Sequence, residues 1–266
     1  MRKAIFTWKD YETISTDPQD YSIGNLKISF MCSRNELMAR YEYFHSRKDN
    51  NISKKISSEK TNWSRWAVKK EITRLQLKPQ MPDRPVIIKP ESPFRIVKNS
   101  HAQIYVRIPV WIQLGISGRH SYPLLDIPTI ILSNTWFGTF LEGELCYWVS
   151  SGVRRQIEID PDRPYMAICP IFLSNKSHED LLVEKLALRV TNLSLYMENN
   201  QLWAGDTNII YKGEQEISQI DFPQGPPVDS KSAKLINTAR ITSKKGLSIK
   251  TFSTLKDLPG LGIFTN

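Results

Sequence analysis

Residues 186–203 read LALRVTNLSLYMENNQLW, and this stretch decides the fold class. From Leu186 to Val190 apolar residues recur at every second position, which is the pattern of a half-buried strand. The apolar positions shift by one residue after Asn192, so we predict a bulge or a strand break there. Asn199 and Asn200 separate the next two runs, and paired asparagines tolerate the positive φ angles of a two-residue hairpin turn.

The predicted hairpin has a definite register. A two-residue turn places Glu198 opposite Gln201, Met197 opposite Leu202 and Tyr196 opposite Trp203. Tyr196 and Trp203 then share one face of the sheet, while Met197 and Leu202 share the other face. If this second face is the core, we expect Trp203→Ala to cost little stability and Leu202→Ala about 2–5 kcal/mol.

The same alternation recurs along the chain and predicts the fold class. It is clearest in residues 26–30, 37–43 and 104–108. Helical periodicity is weak: residues 62–77 fit a helix or a strand, and we favour a strand from Glu71 onward. We therefore predict an all-β, sandwich-like fold with one large or two small sheet-on-sheet units and little helix.

Two proline-rich stretches indicate the domain organisation. Five prolines crowd residues 79–93, so we expect an extended segment or a sheet edge there. The second stretch, residues 222–228, precedes a polar sequence. We predict a basic N-terminal region over 1–78, a main β-sandwich body over 79–222, a polar C-terminal tail over 223–266, and a mobile loop over 47–62.

The chain of 266 residues carries no stretch that predicts export or membrane insertion. Charged residues interrupt the apolar run near its start, and the densest apolar stretch, residues 108–116, is about half as long as a membrane-spanning helix requires. Cys32, Cys146 and Cys169 are an odd number of widely spaced thiols, which favours a reducing compartment; Cys146 and Cys169 lie in apolar runs, so we expect these two to be buried. These features predict a cytoplasmic protein without a transmembrane segment.

The net charge of +9 is confined to one quarter of the chain. Residues 34–98 hold 16 Lys and Arg against 7 Asp and Glu, whereas the rest of the sequence is balanced. Cations that neutralise phosphates, together with aromatic rings that stack on bases, form single-strand binding surfaces. The candidate residues for binding an anion or nucleic acid are Lys54, Lys55, Trp63, Arg65, Trp66, Lys69 and Lys70. The alternative is that both tryptophans anchor this region to the β body while the lysines face water.

A second candidate ligand site consists of Trp136, Phe137, Glu144, Arg154 and Arg155. If residues 143–150 and 153–159 form neighbouring strands, the two arginines lie near the acidic start of the first strand. Exposed aromatic rings beside carboxylates and guanidinium groups bind sugars or nucleotides. The alternative is structural, with the tryptophan in the core and Glu144 neutralising an arginine. Glu142 and Glu144 also allow a hydrolase with paired carboxylates, as in glycosidases.

The sequence contains no motif for catalysis or metal binding that we recognise. Zinc-hydrolase, EF-hand, P-loop and nucleophile-elbow patterns are absent. The four histidines never lie three or four positions from one another or from a cysteine, the spacing that zinc sites favour. We therefore predict no metal site and no cofactor, and we favour a non-catalytic protein over an enzyme.

Four passages carry a resemblance to a known family. They are PDRPV at residues 82–86, YVRIPVWI at 105–112, LSNTWFG at 132–138 and GELCY at 143–147. The sequence resembles the family catalogued as domain of unknown function 432 over roughly residues 80–210. This resemblance implies a cytosolic, β-rich domain, and it carries over no activity and no functional residue. The first and last quarters of the chain show no such likeness.

These features together predict a non-catalytic binding or adaptor module. Its basic N-terminal face contacts an anionic partner such as nucleic acid. One alternative is a carbohydrate-active or other hydrolytic β protein that uses the region of Glu142 and Glu144. Another is a structural subunit that binds a protein partner within a larger assembly.

Overall fold

A computed structural model describes residues 8, 15–45, 54–55, 63–69, 71–117, 122–138, 140–141, 143–149, 152–213, 218–242, 247–249 and 251–253. Within these ranges the regular secondary structure consists of β-strands and two 3-10 helices of three residues each, Val190–Asn192 and Val228–Ser230. The predicted all-β fold with little helix is confirmed. In the same ranges no helix has the length and apolar character needed to cross a membrane.

The strands are numbered in chain order. The first twelve are β1 Gln19–Ile23, β2 Leu26–Ser33, β3 Glu36–His45, β4 Lys54–Lys55, β5 Ser64–Ala67, β6 Arg74–Gln80, β7 Val86–Ile88, β8 Phe94–Ile96, β9 His101–Pro109, β10 Trp111–Ser117, β11 Tyr122–Pro128 and β12 Ser133–Phe137. The others are β13 Glu144–Val149, β14 Met166–Asn175, β15 Leu181–Val183, β16 Lys185–Leu188, β17 Leu195–Glu198, β18 Gln201–Ala204, β19 Thr207–Tyr211, β20 Ser218–Asp221, β21 Lys234–Asn237, β22 Leu247–Ile249 and β23 Phe252–Ser253.

The chain forms two compact units, and each is built from separate stretches of sequence. Unit 1 comprises Met1–Gln80, Val110–Ile131 and Pro161–Tyr165, and unit 2 comprises Met81–Pro109, Leu132–Asp160 and Met166–Asn266. Each unit therefore combines strands that are distant in sequence. The division after residues 78 and 222 stays a prediction.

Unit 1 holds two sheets in its described residues. One has the order β1–β2–β3–β4, with β5 also paired to β3, and the other has the order β11–β10–β6. Leu26, Ile28 and Phe30 of β2 are almost fully buried, as their alternation predicts. The strand favoured from Glu71 onward is present as β6, which begins at Arg74.

The described part of unit 2 contains three sheets. They are a five-stranded sheet of order β12–β13–β7–β16–β23, an eight-stranded sheet and the pair β15–β8. In the eight-stranded sheet β9 pairs with one side of β14, while β18 and β19 follow one another along its other side, both parallel to it. Beyond β18 lie β17 and β21, and beyond β19 lie β20 and β22. This arrangement places β14 at the centre of the sheet.

The predicted hairpin and its register are both confirmed. β17 pairs with β18 through Leu195–Ala204, Tyr196–Trp203, Met197–Leu202 and Glu198–Gln201. Asn199 and Asn200 have φ angles of 50° and 63°, the left-handed conformation that a two-residue hairpin turn requires. The predicted strand break is confirmed as well, because the 3-10 helix Val190–Asn192 separates β16 from β17.

The expectation that only one face of this hairpin belongs to the core is wrong. Leu202 on one face is completely buried, and Trp203 on the other face is only 5% exposed. Trp203 packs in a cluster with Tyr105, Ile168 and Tyr196. Protein covers both faces of the hairpin, so the two side chains do not differ in burial as we expected.

Of the two alternatives for residues 79–93, the extended segment is present as β7 and the sheet edge is not, and the strand considered for residues 153–159 is absent. The proline-rich residues 79–93 do not run along a sheet edge throughout, because β7 lies between β13 and β16 and is buried. Pro85 and Pro90 flank β7 without interrupting it, so its ladder loses no backbone donor. Residues 153–159 do not form a strand, and only Arg154 makes an isolated antiparallel bridge, with Tyr105.

The loop and the tail proposed from the sequence are described only in part. Of residues 47–62, only Lys54 and Lys55 lie in the described ranges, where they form β4; the rest lie outside them. The polar segment after residue 222 contributes three strands to unit 2. β21 pairs with β17, β22 with β20, and β23 with β16.

Candidate functional site

The structure places the predicted anion-binding residues on β4, on β5 and next to β5. Trp63 is half-buried, and the guanidinium carbon of Arg40 lies 4.8 Å from its ring centroid. Trp66 lies opposite the buried Leu37 in the β3–β5 pair. Lys69 is exposed. The backbones of Lys54 and Lys55 pair with β3, and Lys70 lies outside the described residues.

Several cations of unit 1 already have acidic partners. Arg65 forms an ion pair with Glu36 on the neighbouring strand. Lys27 lies 2.7 Å from Asp20 and lowers the pKa of that carboxyl group through a hydrogen bond. Arg34 and Glu71 form a further exposed pair. This internal pairing reduces the charge that the described part of unit 1 offers to a polyanion.

The second predicted site is only partly assembled. Trp136, Phe137 and Glu144 lie on the β12–β13 hairpin, where Trp136 faces Leu145 and Phe137 faces Glu144. Phe137 is buried, whereas Trp136 is 48% exposed. Arg154 and Arg155 are exposed residues outside this hairpin, and Arg154 pairs with Glu91 and Glu158.

The partner of Glu144 is an arginine that the sequence did not indicate. Both carboxylate oxygens of Glu144 bind the guanidinium group of Arg189, whose side chain is only 9% exposed. The predicted pairing with Arg154 or Arg155 is therefore replaced by a bidentate pair with Arg189. This arrangement agrees with the structural interpretation of Glu144. Glu142 lies outside the described residues.

Unit 2 contains a cleft that the sequence analysis missed. Its volume is about 270 Å³. The lining residues are Asn192, Leu193, Ser194, Tyr196, Gly205, Asp206, Phe222, Pro223, Gln224, Thr238, Ala239, Ile241 and Thr242. Three separate stretches of the chain thus surround Gly205 and Asp206, and we call this feature the Asp206 cleft.

An irregularity in the eight-stranded sheet creates the Asp206 cleft. Along β14 the pairing offset grows by one residue between the β18 contacts and the β19 contacts, so an extra residue is inserted between Ala204 and Thr207. On the outer side, β18 pairs with β17 up to Ala204, whereas β19 pairs with β20 from Asn208 onward. Asp206 lies between β18 and β19, where pairing with β17 ends and pairing with β20 begins.

Asp206 has an unusual environment for a carboxylate. The residue is 5% exposed, and its Oδ2 accepts a hydrogen bond of 3.0 Å from the backbone N–H of Val228. Its Oδ1 is buried and has no hydrogen-bond partner among the described residues. Burial raises the pKa of this carboxyl group, the Val228 N–H opposes the shift, and the nearby charge of Asp229 adds to it.

Tyr196 and Gly205 form the wall beside Asp206. Burial raises the pKa of Tyr196, although hydrogen bonds with Ser194 and with the backbone of Gly225 oppose the shift. A Cβ atom added to Gly205 would lie 3.8 Å from Cε2 of Tyr196 and 4.0 Å from the carbonyl oxygens of Pro223 and Gly225. A single methyl group at this position would therefore be in ordinary van der Waals contact with the wall.

Two further acidic residues of unit 2 are bound by neutral donors. Asp229 accepts hydrogen bonds from Gln103 and from the Tyr105 hydroxyl group, at 2.7 and 3.0 Å. Glu198 accepts hydrogen bonds from the Ser230 and Ser232 hydroxyl groups, which lower the pKa of its exposed carboxyl group. The segment from Val228 to Ser232 thus supplies a backbone N–H group to Asp206 and hydroxyl groups to Glu198.

The sequence contained one weak signal for this site. Gly205 interrupts the alternation that begins in the hairpin, and a glycine within a strand pattern indicates a bulge or a close approach of the backbone. Residues 222–228 carried no such signal, since a proline-rich stretch is equally typical of a linker. Their approach to Gly205 depends on pairing between strands that are distant in sequence.

The chain matches the model of one protein family, described as "Protein of unknown function (DUF432)", over residues 7–256. The resemblance proposed for residues 80–210 is confirmed, and it extends into both terminal quarters of the chain. No curated protein and no solved structure matches the sequence. None of these comparisons therefore indicates a function for the chain.

Proposed function

The chain belongs to the family described as "Protein of unknown function (DUF432)", and we propose that it is a non-catalytic binding module that takes a small molecule into the Asp206 cleft. The lining supports binding, because hydroxyl groups, amides, two aromatic rings and one carboxylate are groups that orient a ligand. A volume of about 270 Å³ fits a small metabolite.

One observation carries this proposal: polar and aromatic residues from separate stretches of the chain converge on one cleft, which also includes the buried residue Asp206. Burying a charged group without compensating hydrogen bonds costs stability, so such groups are rare away from functional sites. A ligand in the cleft offsets part of this cost through the charge of the carboxylate, since Asp206 Oδ1 itself is closed to the empty cleft.

A matched pair of variants tests the proposal. Asp206→Asn keeps an acceptor for the Val228 N–H and removes the charge. Asp180→Asn makes the same change at an exposed carboxylate that also accepts a backbone hydrogen bond, from Lys98. In a thermal-shift screen of small metabolites, we expect compounds that stabilise the wild type and Asp180→Asn but do not stabilise Asp206→Asn. Equal stabilisation of all three proteins, or no stabilising compound, would contradict the proposal.

A second candidate function is contact with nucleic acid or another polyanion through the basic N-terminal region. It is supported by the confined charge surplus and by the exposed Lys69 beside the half-buried Trp66. Binding of this kind weakens steeply with salt, because phosphate contacts release counterions. Fluorescence polarisation with single-stranded and duplex nucleic acid at two salt concentrations tests it. An absence of binding at low salt rejects it.

A protein partner and a cytoplasmic location are further proposals from the sequence. Phe140 and Leu141 follow β12, and they are 82% and 90% exposed. Exposed apolar side chains of this size support a contact with another protein. Cys32, Cys146 and Cys169 are all free and buried, which supports a reducing compartment. The hydrolase alternative gains no support, since Arg189 occupies both oxygens of Glu144.

A further inference from the structure

We propose that the outer edge of β12 is an interface between two copies of this chain, in which the two β12 strands pair antiparallel about a two-fold axis. Among the described residues β12 pairs with β13 and with no other strand. The interface goes beyond the proposed function and does not depend on it, because neither β12 nor β13 contributes a residue to the lining of the Asp206 cleft.

β12 lacks the features with which proteins protect an exposed sheet edge. Charged side chains, prolines or a very short strand keep other chains from pairing with the backbone groups of an edge. In the described sheets, the other edge strands of four or more residues each contain a charged residue: β1, β5, β6, β9, β11 and β21. β12 reads SNTWF, with neither a charge nor a proline, and it pairs with β13 over its full length without a bulge. We therefore expect another strand to cover this edge.

The hydrogen bonds of β13 show which backbone groups of β12 point outward. The N–H of Tyr147 donates to Pro85, on the β7 side of β13, at 2.9 Å. Strand residues direct their backbone groups to alternate sides, so the pair of Tyr147 and Asn134 is not hydrogen-bonded, whereas Thr135 bonds to β13. The N–H and C=O groups of Asn134 therefore point to the outer edge, and those of Trp136 point the same way.

Exposed apolar side chains are concentrated on the same hairpin. Trp136 and its cross-strand partner Leu145 are 48% and 43% exposed, on the face opposite to the buried Phe137. Phe140 and Leu141, in the connection between β12 and β13, are more exposed still. Large apolar side chains grouped at a surface in this way are typical of a protein interface.

Charge selects a second copy as the occupant of the edge. The chain carries +9, so two copies repel each other unless they meet at a neutral surface. β12 has no charge, and the charged side chains that hydrogen-bond to its exposed face, Asp83 and Arg84, have opposite signs. A two-fold register centred on Thr135 places Asn134 opposite the partner's Trp136. This register joins the outward backbone groups of both strands and sets no like charges opposite each other.

Sedimentation velocity of the full chain at increasing protein concentration tests the interface. We expect the wild type to dimerise as the concentration rises. Trp136→Lys brings two like charges together across the two-fold axis, and it weakens dimerisation by at least about tenfold. Asn134→Pro removes an outward N–H without removing a hydrogen bond between β12 and β13, and it weakens dimerisation too. Leu235→Lys is the matched control on the edge strand β21, where the side chain is 55% exposed, and it leaves dimerisation unchanged.

The opposite results overturn the proposal. If the wild type stays monomeric at every concentration, β12 is not an interface between copies, and the proposed function of the Asp206 cleft is unaffected. If a dimer survives both Trp136→Lys and Asn134→Pro, or if Leu235→Lys abolishes it equally, another surface holds the copies together. Circular dichroism confirms that each variant is folded, and Asn134→Pro decides the matter if Trp136→Lys does not fold.

Discussion

Asp206 is a residue at which stability and binding oppose each other. Burial raises the pKa of its carboxyl group above the ordinary 3.8, so folding favours the protonated form. The stabilising contribution is complete below pH 3.8 and is lost as the pH rises through the folded-state pKa. We therefore expect Asp206→Asn to melt at a higher temperature than the wild type at neutral pH.

The pH dependence of this difference provides the check. Tyr196 and Asp229 face the same carboxyl group and are unchanged in the variant. The two melting temperatures should converge below pH 3.8 and separate as the pH rises. Thermal melts monitored by circular dichroism measure both melting temperatures at each pH. A variant that melts below the wild type at pH 7 would show that the charge of Asp206 stabilises the fold.

The hairpin side chains give a second prediction at this scale. Because Trp203 and Leu202 are both buried, we expect Trp203→Ala to cost about 3–5 kcal/mol and Leu202→Ala about 2–5 kcal/mol of unfolding free energy. Leu235→Ala on β21 is the control, since this side chain is 55% exposed and its removal should change stability by less than about 0.5 kcal/mol. Urea denaturation measures all three. If Trp203→Ala unfolds at the same urea concentration as the wild type, this result would contradict the burial of both faces of the hairpin.

At the scale of elements, the ion pair between Glu144 and Arg189 links β13 to the segment that follows β16. Glu144→Ala leaves a buried guanidinium group without its partner, and we expect a loss of about 3 kcal/mol. Replacing both residues, as Glu144→Ala with Arg189→Met, should recover part of that loss because no unpaired charge remains buried.

An exposed ion pair serves as the control for the Glu144–Arg189 pair. Glu91 pairs with Arg154 at the surface, and Glu91→Ala should cost at most about 1 kcal/mol. A double-mutant cycle from urea melts gives the coupling energy of the Glu144–Arg189 pair. A coupling energy near zero would mean that the pair does not stabilise the fold.

The elements also show which features a sequence can predict. The turn and the register of the β17–β18 hairpin were predicted correctly because their determinant, the Asn199–Asn200 turn, is local. The central position of β7 was not predicted, since the prolines beside it are equally compatible with a strand at the edge of a sheet. The partner of Glu144 lies 45 residues away, and the cleft arises where one interrupted strand changes neighbours. These features depend on long-range pairing, which alternation alone does not determine.

For the whole molecule, net charge and local charge point to different partners. The chain carries +9, and the surplus lies in residues 34–98, where Arg34 and Arg65 form ion pairs with Glu71 and Glu36. The cleft in unit 2 is acidic, with Asp229 near Asp206. A polyanion and a small-molecule ligand are therefore compatible with one chain, because they bind different surfaces.

The central claim is that the Asp206 cleft holds a ligand, and an NMR titration tests it most directly. A compound that stabilises the wild type in the thermal-shift screen is added to the protein labelled with ¹⁵N, and the backbone amide signals are followed. We predict saturable shifts clustered at Ser194, Gly205 and Val228, and their loss in Asp206→Asn. An absence of saturable shifts at these amides, or shifts confined to unit 1, would contradict the claim.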